Sequence, residues 1–188
     1  MDILSVVLGL ILVTSTYGQT QLIKDLMSKM TVEDKCGQMT QVTFDVIQKD
    51  PAPTDPDENP VNMTKLVYAI KEKRVGSILN TPYDMAQKAT TWQAIQKSIN
   101  DVALDENLKI PVLYGVDSIH GATYIREATL FPQPISIAAT FNVDIAGKIG
   151  RVTAEETRAV GIPWNFNPVL DVGRQPLWPR SFTFYSFI

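Results

Sequence analysis

The sequence predicts an α/β protein built on a parallel sheet, and three observations lead there. Short apolar runs at 75–79, 111–116 and 163–170 are too brief for helices of ordinary length. Longer segments between them carry apolar residues at helical spacing. The two kinds alternate, as parallel strands demand, because each parallel return needs a crossover. Four or five such strands fit either a doubly wound sheet or half of an eight-fold barrel, and periodicity does not choose between them.

The elements follow in chain order. Ile3 to Val13 is apolar apart from Ser5 and Gly9, too short for a membrane span, and is followed by the small and polar Thr14 to Gly18. This reads as a signal peptide over 1–18 with a mature start at Gln19; the alternative is a buried N-terminal strand or helix. Leu22, Ile23, Leu26 and Met30 lie on one face of a first helix. Thr31 with Asp34 has the form of an N-cap box opening a second helix. Residues 38–44 read as extended. Four prolines and four acids in 48–60 exclude a helix or a central strand there and predict an exposed loop.

A helix over 63–73 leads into the strand at 75–79. The next helix places Trp92, Ile95, Ile99 and Val102 along one side. The best strand, 111–116, ends at Asp117. The run 135–139 reads as a further short strand, and 143–160 as a helix with Ile145, Ile149, Val152 and Ala159 as its stripe. The last strand, 163–170, ends at Asp171.

Composition narrows the chemistry. The 188 residues carry 17 basic and 20 acidic side chains, a net charge of -3, and no basic block, which argues against nucleic acid as the partner. One histidine, His120, excludes multi-histidine metal clusters. No Gly-x-Gly-x-x-Gly follows a strand and no Gly-Lys-Ser/Thr phosphate loop occurs, so no cofactor is expected. The lone Cys36 has no internal disulfide partner and reads as a small buried hydrophobe. Asn62-Met63-Thr64 is the one Asn-x-Ser/Thr sequon and a candidate glycosylation site suited to a secreted or lysosomal chain.

Ligands of parallel α/β folds bind at the carboxyl ends of the strands, so polar residues there are the candidates. Asp117 in Gly115-Val116-Asp117-Ser118-Ile119-His120-Gly121 can accept hydrogen bonds from two neighbouring sugar hydroxyls, and His120 can donate to that carboxylate or to a ligand. The structural alternative is a capping aspartate beside a core histidine. After the last strand, Asp171, Arg174, Trp178 and Arg180 combine donor forks with a ring on which a pyranose can stack, or else form a salt-bridged turn. Glu155-Glu156 reads as a solvated helix face and Arg126-Glu127 as a surface pair.

Taken together, these blocks resemble a known family. Met30-Thr31-Val32-Glu33-Asp34-Lys35, Gly37-Gln38-Met39-Thr40-Gln41 and Val75-Gly76-Ser77-Ile78-Leu79-Asn80 are similar to the opening of glycoside hydrolase family 3. So are Ile110 to Gly121, Ala128 to Gln133, Ala138 to Asn142, Arg158 to Trp164, Asn167 to Asp171 and Trp178-Pro179-Arg180, in order and spacing over about residues 22–180. The resemblance implies a (β/α)8 TIM-type barrel followed by an α/β sandwich domain. Its activity would be β-glucosidase hydrolysis of terminal β-D-glucosyl residues with retention.

Retention uses two carboxyl groups, one a nucleophile and one an acid/base. In the family these lie on a later strand and in the second domain. The resemblance therefore implies about the first half of the barrel over residues 19–188, no catalytic residue in this chain, and no activity of the chain alone. Asp117 and Arg180 match the family's ligands for the non-reducing glucose. After Arg180 the sequence departs from the family pattern, since Ser181 to Ile188 carries no acid. The implied partner is a β-glucoside or oligosaccharide. The alternative is a non-catalytic fragment that binds a glucoside or interacts with a relative.

Overall fold

A computed structural model describes residues 21–106, 108–169, 175, 177 and 179. The expected signal peptide and Asp171, Arg174, Trp178 and Arg180 lie outside the described residues.

The first helix, α1, covers 21–29, with Leu22 and Ile23 exposed and Leu26 half-buried. Helix α2 (Val32–Gln38) opens on the expected box. The Thr31 hydroxyl accepts from the Asp34 N–H at 3.1 Å, and the Asp34 carboxylate accepts from the Thr31 N–H at 2.8 Å. That reciprocal pair satisfies two of the donors a helix start leaves free. Strand β1 (Gln41–Thr43) then leads to the proline-rich excursion, which holds no helix or strand. Helix α3 (Met63–Val67) continues through a π-helical turn (Tyr68–Glu72) and precedes β2 (Ser77–Leu79). The longer α4 (Ala89–Leu104) precedes β3 (Leu113–Val116); α5 (Pro134–Ala138) and α6 (Val143–Ala159) precede β4 (Trp164–Asn165).

All neighbouring strands are parallel and the spatial order is β1-β2-β3-β4. This order resolves the choice that periodicity left open. A doubly wound sheet reverses its strand order at a switch point, whereas a barrel adds each strand beside the last. Here the order never reverses, so the four strands form an arc of barrel type.

One face of the arc is sealed by helices. Ile78 and Tyr114, aligned across β2 and β3, are buried with Phe44, Leu66, Trp92, Ile95 and Ile99. The Trp92 ring meets Tyr114 edge-on at 5.5 Å, and its Nε1–H donates to the Tyr124 carbonyl at 2.8 Å. The opposite face, the interior of the arc, is open: Leu113, whose side chain alternates with Tyr114, is 52% exposed.

Four expectations are corrected. The run 135–139 is helix α5, not a strand. Pro134 in its first turn has a preset φ and no N–H to lose there, which favours helix initiation. Cys36 is exposed rather than buried, because α2 turns Gly37 inward against the Arg74 backbone. The α6 stripe is only partly covered. Ile149 and Val152 are half-buried, Ile145 and Ala159 are exposed, and the fully buried α6 side chains are Thr153 and Thr157. The last strand is also shorter than the 163–170 run suggested.

Candidate substrate site

The carboxyl ends of β2, β3 and β4 define the candidate site. Strand β3 delivers Asp117, a half-buried residue, immediately after Val116. Its carboxylate has no hydrogen bond or ion pair to any described residue. Its backbone carbonyl accepts from the Ile119 N–H at 3.0 Å, turning the chain sharply after the strand.

The turn is pinned by residues the sequence reading did not single out. Asn165, at the end of β4, accepts from the Ser118 N–H at 3.0 Å. The Thr157 hydroxyl of α6 donates to the Ser118 hydroxyl at 3.0 Å in a buried pair. Two elements, β4 and α6, therefore converge on the residue next to Asp117. Thr153 and Thr157 lie one turn apart on the buried side of the amphipathic α6. Polar side chains on the buried face of a helix need partners, and Ser118 is one.

His120 does not meet Asp117 as the sequence allowed. Its Nδ1 faces the Phe131 carbonyl at 2.9 Å, and a carbonyl only accepts, so Nδ1 is the donor in that pair. The His120 carbonyl in turn accepts from the Phe131 N–H at 2.8 Å. Gly121 makes this arrangement possible. Its φ is +100°, and a Cβ there would lie 2.0 Å from the Thr129 carbonyl. Asp117 thus projects from a loop closed by β-type contacts between Gly121 and Leu130.

Tyr124, on the loop after β3, lies within electrostatic reach of Asp117 and of Asp84, on the loop after β2. The Tyr124 hydroxyl is held above its usual range, first by burial and then by the negative charges of Asp117 and Asp84. It therefore stays protonated, and a phenol with two carboxylates in electrostatic reach suits a ligand rich in hydroxyls. Asn80, Tyr83 and Asp84 all adopt positive φ, so the β2 loop is strained where it borders the site.

The other charged candidates serve structure. Glu127 accepts from the Ala89 N–H at 3.0 Å, supplying the helix-start acceptor that Lys88 lacks. Arg126 does not pair with it, but reaches the Ala86 carbonyl at 3.0 Å and Asp57 at 3.2 Å. Glu156 binds the Thr129 N–H and hydroxyl, both at 2.9 Å. Glu155 faces Arg151 at 3.9 Å on the solvated side.

A pocket of about 330 Å³ opens at the opposite, amino ends of the strands, near Gln38, Val75 and Ile110. Two of its cations are matched, Lys71 with Asp105 at 2.5 Å and Arg74 with Asp34 at 2.6 Å. Among the described residues, no group of three or more His, Cys, Asp or Glu side chains could hold a metal ion, and no helix is long and apolar enough to cross a membrane.

Comparison with known proteins gives the family. The model of the glycosyl hydrolase family 3 N-terminal domain matches residues 31–187. A lysosomal beta glucosidase of Dictyostelium discoideum is 39% identical over 168 residues, covering 85% of this chain and 20% of that protein. A periplasmic beta-glucosidase of Salmonella typhimurium is 32% identical over 159 residues, covering 85% of this chain and 17% of its own.

Among solved structures, the beta-glucosidase of Listeria innocua in complex with isofagomine superposes with a TM-score of 0.57 at 26% identity. That match covers 83% of this chain and 19% of the Listeria chain. This chain therefore spans about a fifth of the length of these relatives. The sequential parallel arc and the match across residues 31–187 agree: the chain belongs to glycosyl hydrolase family 3.

Proposed function

We propose that this chain is the N-terminal portion of a secreted or lysosomal β-glucosidase that removes terminal non-reducing β-D-glucosyl residues with retention. Asp117 and Arg180 grip the glucose ring. The nucleophile and the acid/base belong to parts of the enzyme beyond this half barrel, so the chain alone binds without turning over. The compartment is supported by the apolar run and small residues near the N-terminus, and by a lysosomal and a periplasmic relative.

The observation that carries this reading is Asp117, half-buried at the carboxyl end of β3, whose carboxylate has no partner among the described residues. A carboxylate drawn partly out of water without a partner is costly, and vicinal sugar hydroxyls supply the missing donors. Isofagomine, the ligand of the Listeria relative, is the natural probe. Titration calorimetry should show binding by the chain and its loss in Asp117→Ala, with no hydrolysis of an aryl β-glucoside by either. Unchanged binding in the variant would remove Asp117 from the site. Turnover abolished by Asp117→Ala would reveal a catalytic pair within the chain.

A further inference from the structure

We propose that Asn62 is N-glycosylated and that the glycan stands on the N-terminus of α3 without disturbing its cap. The proposal rests on the secretory reading above for its access to the enzyme that transfers the sugar.

The geometry divides the two ends of the Asn62 amide. Its Oδ1 accepts from the Lys65 N–H at 3.1 Å, which caps α3. Its backbone N–H donates to the Ile47 carbonyl at 2.8 Å, and its own carbonyl accepts from the Leu66 N–H at 2.9 Å. Every polar group of the residue is thereby engaged except Nδ2. That nitrogen makes no hydrogen bond to any described residue, and it is not among the fully buried polar atoms left without partners, so it keeps some exposure to solvent. Met63 and Thr64, the rest of the sequon, are exposed.

Nδ2 is the atom that glycosylation uses. It attacks C1 of the reducing-end sugar of an oligosaccharide carried on a lipid pyrophosphate. The bond from C1 to the pyrophosphate oxygen breaks, the lipid pyrophosphate departs, and Nδ2 gives up one proton. One N–H becomes an N–C bond while the amide carbonyl is unchanged, so the capping acceptor survives. The outer face of α3 gains from the modification. Met63, Val67 and Tyr68 are exposed apolar side chains within two turns of Asn62, and a glycan there would cover them.

The test is translation of the full chain with microsomes, read by protease protection and by gel mobility before and after peptide N-glycosidase. A protected chain carrying one enzyme-removable shift is expected. Asn62→Asp keeps a capping oxygen but loses the amide nitrogen, and Thr64→Val leaves Asn62 intact but breaks the sequon. Both should be protected and unshifted. A second arm gives the chain a leader of proven function, which separates the site from the compartment. If only that arm is protected and shifted, the site stands and the secretory reading falls. Protection without a shift in that arm overturns the proposal.

Discussion

Two regions of this molecule are written in the same sequence pattern and end in different states. From α3 to β3, apolar stripes and short strands are sealed, with Ile78, Trp92, Ile95 and Tyr114 all at 0% exposure. From Phe141 to β4 the pattern persists, yet Phe141 is 88% exposed, Val143 84% and Trp164 38%. The difference lies in neighbours. Strand β2 is flanked on both sides, whereas β4 pairs only with β3 among the described strands. An apolar stripe is worth energy only where something lies against it, at about 25 cal/mol per Å² removed from water. What α6 contributes here is the Thr157 hydroxyl, which helps hold the loop bearing Asp117. The sealed region carries the stability, and the open one orients the site.

The largest test of that division is Trp92→Ala. The ring is fully buried, packs on Tyr114 and satisfies its N–H on the Tyr124 carbonyl. Its loss should cost about 3–5 kcal/mol in urea denaturation, for lost transfer energy plus the cavity left behind. Val143→Ala on the open side should change stability by less than about 0.5 kcal/mol. Comparable losses at the two positions would mean that α6 is covered in solution.

Gly121→Ala should come next, at about 1–3 kcal/mol, because both the positive φ and the Thr129 carbonyl oppose a Cβ. The same change should weaken isofagomine binding, since it displaces the loop that carries Asp117. Weaker binding with unaltered stability would instead place the strain at the ligand itself.

A smaller effect is expected from pH. Burial pushes the Tyr114 phenol well above its usual range. In the unfolded chain this tyrosine ionises near pH 10, while the folded chain retains the proton. Above that pH the unfolded state binds fewer protons, so stability should fall as pH rises, by up to about 1.4 kcal/mol per pH unit for one proton. Tyr114→Phe should flatten that decline, although it forfeits the 2.6 Å hydrogen bond to the Asn80 carbonyl. An unchanged slope would assign the decline to Tyr83 and Tyr124, whose phenols are also held high by burial.

Much of this fold was legible in the sequence, for physical reasons that also explain the misses. The stripe of α4 and the box at Thr31 and Asp34 are local patterns, and the structure follows them. The run 135–139 misled because five residues, four of them apolar, hold too little length to tell period 2 from period 3.6. Pro134 was the better guide. At α6 the period was read correctly but burial was not, since periodicity marks an apolar face without saying what meets it. In the site, Asp117 was legible from its place after a strong strand. Asn165 and Thr157 were not, because their role depends on contacts between residues 39 and 47 positions apart in the chain.

The smallest prediction has the opposite sign and probes the open region directly. Gly147 lies inside α6, and a Cβ built there would meet nothing within 4 Å. Glycine in a helix interior forfeits backbone entropy relative to alanine without gaining a contact here, so Gly147→Ala should stabilise the chain by about 0.5–1 kcal/mol. The variant leaves Thr153, Thr157 and Ser118 untouched, so isofagomine binding should not change. If Gly147→Ala instead destabilises the chain, a Cβ at that position must collide with something, and the outer face of α6 must then be an occupied surface in solution. The contrast between the sealed and open regions would then reduce to the loop around Asp117.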